Sequence, residues 1–92
     1  TEAVASGNEA EINTYGYQLI NQGLHDKAIE VLTINTQRYP KSANTFDSLG
    51  EAYALKGDKP NAIKNFKKSL SMNPPAATRA NSEKYMQQLD TK

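Results

Sequence analysis

Phe46-Asp47-Ser48-Leu49-Gly50-Glu51-Ala52-Tyr53, followed by Gly57, Ala62, Phe66 and Pro74, is the stretch whose reading decides the fold. An interval of 34 residues, Gly16 to Gly50, carries it back onto an earlier part of the chain. Gly23 then meets Gly57, Ala28 meets Ala62, Ile29 meets Ile63 and Pro40 meets Pro74. Apolar character repeats as well, in the pairs Ile12 with Phe46, Tyr15 with Leu49, Leu19 with Tyr53 and Leu32 with Phe66. The identities fall on small and rigid residues that fix backbone geometry, which makes the period more specific than an identity count.

Within each period the apolar spacing is helical rather than alternating. Ile12, Tyr15, Gly16 and Leu19 share one arc of a helix, as do Phe46, Leu49, Gly50 and Tyr53. Ala28, Ile29 and Leu32 mark a second helix, matched by Ala62, Ile63, Phe66 and Leu70. Gly23 and Gly57 end the leading helices, and Pro40 and Pro74 stop the trailing ones. Ser42 and Asp58 stand where N-caps belong, with Pro60 in the first turn behind Asp58. After Pro74-Pro75 a last segment places Tyr85, Met86 and Leu89 on one face and Asn81, Glu83, Lys84, Gln87 and Gln88 elsewhere, which suits the end of a helical stack. The spacing predicts helices at 9–22, 25–38, 43–56, 59–72 and 77–90. Residues 1–8 read as a linker.

These residues resemble the tetratricopeptide repeat, whose pattern is W-x2-L-G-x2-Y, then A-x3-F, then P. The second period reads Phe46-x2-Leu49-Gly50-x2-Tyr53, Ala62-x3-Phe66, Pro74. The first reads Ile12-x2-Tyr15-Gly16-x2-Leu19, Ala28-x3-Leu32, Pro40, a looser match. The resemblance implies an all-α fold in which two helix–turn–helix repeats, at 9–42 and 43–76, and a capping helix at 77–92 wind into a right-handed superhelix. Glycine and alanine at positions 16, 28, 50 and 62 let paired helices approach closely. Two shorter stretches, 15–20 and 46–53, also look like the C-terminal repeat tails of some bacterial serine hydrolases, of the beta-lactamase-like or alpha/beta-hydrolase kinds.

Tetratricopeptide proteins bind partners in a concave groove lined by the leading helices. Here the corresponding arcs hold Ala10, Asn13, Tyr17, Ile20 and Asn21 in the first repeat, and Asn44, Asp47, Glu51, Ala54 and Leu55 in the second. The candidate groove residues are Asn13, Tyr17, Ile20, Asn21, Asp47, Glu51 and Leu55. Tyr17 leads among them, because a phenol offers apolar area and a hydrogen bond at low entropy cost. Asp47 and Glu51 make the second half acidic, which favours a basic or neutral segment. Some relatives clamp a carboxylate with lysine, arginine and asparagine. The matching positions here, Asn13, Tyr17, Ser48, Thr78 and Ser82, hold no cation, and such a clamp needs charged donors.

Composition narrows the rest. A net charge of +1 over 92 residues argues against nucleic acid as the main partner. There is no cysteine, so disulfides and thiolate metal sites are excluded. No apolar run approaches the ~20 residues that span a bilayer, and the first residues lack the basic and apolar regions of a signal peptide. The chain opens on threonine, as a piece of a longer protein would. Lys56, Lys59, Lys64, Lys67 and Lys68 read as a solvated convex face, with Asp58 their local counter-charge. His25 has no fellow ligands at metal spacing and belongs to the turn before the second helix. Ser48 is not in a nucleophile elbow, and no Ser-x-x-Lys occurs. No catalytic residue, cofactor or metal is expected, and the compartment stays open.

Two functions remain. One is a non-catalytic module that binds a protein or peptide in the groove. The other is a structural or dimerising appendage packed on a bacterial serine hydrolase. Nothing in the sequence covers the first helix, where Ile12, Tyr15, Tyr17, Leu19 and Ile20 leave little polar surface. It is therefore expected to dock on a preceding domain, a second copy or a partner.

Overall fold

The computed structural model describes residues 7–90, so the linker expected at 1–8 lies mostly outside the described residues, as do positions 91–92 of the cap. Among the described residues the regular structure is helical: α1 Glu9–Asn21, α2 His25–Arg38, α3 Ala43–Lys56, α4 Lys59–Ser71 and α5 Ala76–Asp90. The expected spans hold to within a residue. Gln22 and Met72 fall outside α1 and α4 because they serve as C-caps.

The chain starts α1 with a device hidden in the expected linker. Asn8 Oδ1 accepts from the Glu11 backbone N–H at 2.9 Å, and Glu11 Oε1 accepts from the Asn8 N–H at 3.0 Å. This reciprocal pair satisfies two donors that a helix start leaves open. Asp58 caps α4 through the Asn61 N–H at 3.3 Å. Ser42 occupies the N-cap position of α3 without capping it. Its hydroxyl instead donates to Glu9 Oε2 at 2.9 Å, tying the two hairpins together.

The leading helices end alike. Gly23 and Gly57 adopt φ of +79° and +94°, in the left-handed region that a side chain disfavours. The residue after each glycine reaches back six positions inclusive. Leu24 N–H donates to Leu19 C=O and Asp58 N–H to Tyr53 C=O, both at 2.9 Å. This identical stop sends α2 back along α1, and α4 back along α3.

Packing inside each hairpin depends on a missing side chain. Gly16 lies against Leu32, and a Cβ added there would stand 2.5 Å from Leu32 Cδ2. Gly50 lies against Phe66, with an added Cβ 2.9 Å from Cδ1 and Cε1. Leu32 and Phe66 are the fully buried large residues of α2 and α4. The repeat period thus preserves a pairing, glycine on one helix with a large apolar residue on the next.

Neighbouring helices pack in sequence, α1 on α2 through to α4 on α5, and α3 also touches both α1 and α5. The molecule measures 39 × 27 × 18 Å. Its thinnest dimension fits two layers of helices, each about 10 Å across. One layer is α1, α3 and α5; the other is α2 and α4. Between α1, α2 and α3 lies a core of Ile12, Leu19, Ile20, Ala28, Val31, Leu32, Leu49 and Ala52.

This core corrects the expected bare face on α1. Ile12, Leu19 and Ile20 are buried, because α2 and α3 cover them. Tyr15 and Tyr17 are half-buried and pack on the same cluster. Among the described residues the exposed large apolar ones are Leu24 and Leu55, too few for an extended patch.

Candidate functional site

Three helices share the layer on which the candidate residues lie, and they are related by the 34-residue period. Tyr17 and Glu51 are 34 apart and bond directly, the Tyr17 hydroxyl donating to Glu51 Oε1 at 2.8 Å. Asp47 and Asn81 are also 34 apart, and Asn81 Nδ2 donates to Asp47 Oδ2 at 2.8 Å. The same translation thus links α1 to α3 and α3 to α5, so α5 stands as the leading helix of a third unit. Asn13, Asp47 and Asn81 form one row across the layer; Tyr17, Glu51 and Tyr85 form the next.

The two rows form one polar network. Asn81 Nδ2 reaches Glu51 Oε1 at 3.4 Å as well as Asp47. Ser82 donates its hydroxyl to Asp47 Oδ1 at 2.5 Å and lies 3.4 Å from Ser69 Oγ of α4. Tyr85 stacks on Phe66, centroids 5.2 Å apart and planes 13° from parallel. The sequence-based candidates omitted Asn81 and Tyr85. Their signal was present: carrying the interval past Asp47 and Glu51 lands on both.

Burial dominates the electrostatics. Desolvation pushes the Tyr17 phenol well above the ordinary tyrosine range, and the charge on Glu51 adds to it, while a hydroxyl bond from Ser48 opposes. Desolvation, with Glu51 and then Asp47 behind it, pushes Tyr85 up to about 12. Burial also raises the Asp47 carboxyl, against the lowering effect of the Ser82 and Asn81 bonds. Two phenols locked in the neutral form therefore present donors to a carboxylate.

The other candidates divide by exposure. Asn21 and Leu55 are exposed at the far end of the layer, Leu55 at 47%. Asn13 is half-buried, and its Oδ1 is a buried acceptor without a hydrogen-bond partner. Ile20 belongs to the core rather than to the surface of the layer. Asp47 is 4% exposed, because α5 closes over it with Asn81 and Ser82. Ser48 and Ser82, positions weighed for a carboxylate clamp, are buried too.

Away from this layer, Lys56 pairs with Asp26 at 2.6 Å, a partner from the first hairpin rather than the expected Asp58. Lys68 stands 5.7 Å from the centre of the Phe46 ring. A cleft of about 340 Å³ on α1 is lined by Ala10, Glu11, Thr14, Tyr15 and Gln18. Among the described residues no three His, Cys, Asp or Glu side chains gather to hold a metal, and no helix is long and apolar enough to cross a membrane.

No protein-family model matches the chain. Over 59 residues, 64% of this chain, it is 36% identical to cellulose synthase operon protein C of Escherichia coli (strain K12). The same length is 36% identical to superkiller complex protein 3 of Homo sapiens and 34% identical to tetratricopeptide repeat protein 37 of Xenopus laevis. These relatives support a tetratricopeptide-repeat domain. The chain spans only 5% of the bacterial relative and 4% of each of the other two. The likeness agrees with nested helical hairpins at a fixed period, which the coordinates display independently.

Proposed function

We infer that this chain is a non-catalytic protein-binding module, and that the layer of α1, α3 and α5 receives an extended segment of a partner. The observation that carries this reading is the row Tyr17, Glu51 and Tyr85. Side chains are pre-set there by hydrogen bonds between helices, so a ligand would not have to order them. Asn13, Asn21 and Leu55 extend the surface with polar and apolar contacts. One relative is named as part of a complex and another as a tetratricopeptide repeat protein, which favours a protein partner.

Selection of random displayed peptides on the immobilised chain tests this. Enriched peptides should shift the amide resonances of Tyr17, Asn21, Glu51 and Leu55, and Leu55→Glu should weaken them without changing the circular dichroism. Peptides that map instead to the outer faces of α2 and α4 would refute the reading.

A second reading keeps the chain as an appendage on a hydrolase or a second copy of itself. The cleft beside Tyr15 favours it, because that face of α1 has no helix over it among the described residues. Sedimentation of the chain, alone and with Tyr15→Glu, tests self-association. A monomer at every concentration removes the dimer.

A further inference from the structure

Tyr17, Glu51 and Tyr85 place one carboxylate between two phenols, on three successive helices of the same layer. The hydrogen bonds to Glu51 come from two hydroxyls and an amide, Tyr17 at 2.8 Å, Asn81 at 3.4 Å and Tyr85. Asp47, one turn earlier on α3, is bonded by Asn81 and Ser82. All of these donors are neutral. They orient the carboxylates but leave their negative charge uncompensated. The lysines of α4 stand on the other layer, where Lys64, Lys67 and Lys68 are exposed.

We propose that this row receives a cationic side chain, arginine in preference to lysine, from an extended segment lying across α1, α3 and α5. Glu51 supplies the counter-charge and the rings of Tyr17 and Tyr85 the walls. The inference deepens the groove reading and rests on it. Glu51 is only partly buried and so accessible, unlike Asp47. A guanidinium suits the row because its flat fork pairs with a carboxylate at two points and stacks on aromatic rings. Lysine offers a point charge that an aromatic face also attracts, without the fork. An acidic segment would meet Glu51 with like charge.

Capped peptides of sequence Ala-Leu-Arg-Leu-Ala test this, with the arginine replaced by citrulline or glutamate in two companions. Citrulline keeps the shape and removes the charge. The whole chain, isotope-labelled, is titrated with each peptide and followed by amide shifts. The arginine peptide should bind about tenfold more tightly than the citrulline peptide, an advantage that salt reduces. Shifts should centre on residues 17, 51 and 85. Glu51→Gln should remove the difference between the two peptides and leave the residual binding of both. Equal binding of arginine and citrulline, or tightest binding of glutamate, on this same face would overturn the cation proposal and leave the groove reading standing. No shift on this face from any peptide would overturn both. The salt dependence and the citrulline comparison use the unaltered chain, so the test stands even if Glu51→Gln unfolds.

Discussion

Gly16→Ala should destabilise the domain, although the same change in an ordinary exposed helix stabilises it. Alanine gains about 1 kcal/mol over glycine in a helix interior. Against that stands the geometry. The new Cβ would lie 2.5 Å from Leu32 Cδ2 and 2.7 Å from Cγ. Swinging the methyl aside does not solve this, because Cγ is the branch point of the side chain. Leu32 is fully buried, so either it leaves its rotamer or α1 and α2 move apart. Overpacking of this sort costs about 1–3 kcal/mol. The net expectation is a loss of up to about 2 kcal/mol, or a melting temperature up to about 16 °C lower for a domain of this size.

Urea unfolding followed by circular dichroism gives the value. A double-mutant cycle with Leu32→Ala gives the mechanism. Leu32→Ala alone costs about 2–5 kcal/mol. In its presence the alanine at 16 has room, so the two changes should be non-additive by at least about 1 kcal/mol. Stabilisation by Gly16→Ala, or strict additivity in the cycle, would refute the claim that glycine is required here by the approach of Leu32.

Three further expectations follow from the network and the helix ends. Gly57→Ala meets no atom within 4 Å yet sits at φ +94°, so it should cost about 1–2 kcal/mol through backbone strain alone and show no coupling to Phe66. Spectrophotometric titration at alkaline pH should show the Tyr85 phenol ionising near pH 12 and Tyr17 held later still; Glu51→Gln should bring both earlier, and ionisation of both near pH 10 in the folded chain would contradict the burial argument. The Asp47 carboxyl is raised by folding, so the native state holds its proton more tightly than the unfolded state does. Its favourable contribution is therefore present below the unfolded value near 3.8 and is lost as pH rises through the folded value. Asp47→Asn should flatten that part of the stability profile in urea melts across mildly acidic pH, and an unchanged slope would count against it.

Much of this fold was legible because a few residue types mark it. Gly23, Gly57, Pro40 and Pro74 set the helix ends, and Gly16 and Gly50 set the spacing within hairpins. What the sequence concealed involves contacts between units. Ser42 looked like a cap, and its hydroxyl turned to Glu9, a residue 33 positions away that no local rule connects to it. Ile20 lay on the same arc as Tyr17, but a helix face is wide, and Leu49 and Ala52 of α3 share the core that buries it. Asp47 looked like an open acid until α5 supplied Asn81 and Ser82. Asn8 and Glu11 spelled a capping box that the linker reading passed over. Tyr85 was legible as an apolar contact for α4 and illegible as part of the Tyr17 row, because α5 was weighed as a lid rather than as another turn of the repeat.

That last distinction explains how α5 extends the row begun by α1 and α3. At the position of Gly16 and Gly50, α5 carries Lys84. A following trailing helix in the same register would have to bring its large apolar residue onto a charged side chain where the earlier ones met a bare backbone. α1 also departs from α3. Thr45, Ser48, Leu49 and Ala52 of α3 are buried, whereas the matching residues of α1 are Glu11, Thr14, Tyr15 and Gln18, of which only Tyr15 is partly buried. Larger side chains on α1 thus stand where α3 carries smaller, buried ones. The period itself persists in the rows Asn13, Asp47 and Asn81 and Tyr17, Glu51 and Tyr85. Two hairpins and one helix are therefore sufficient to form this row, with a single carboxylate at its centre and a phenol on either side.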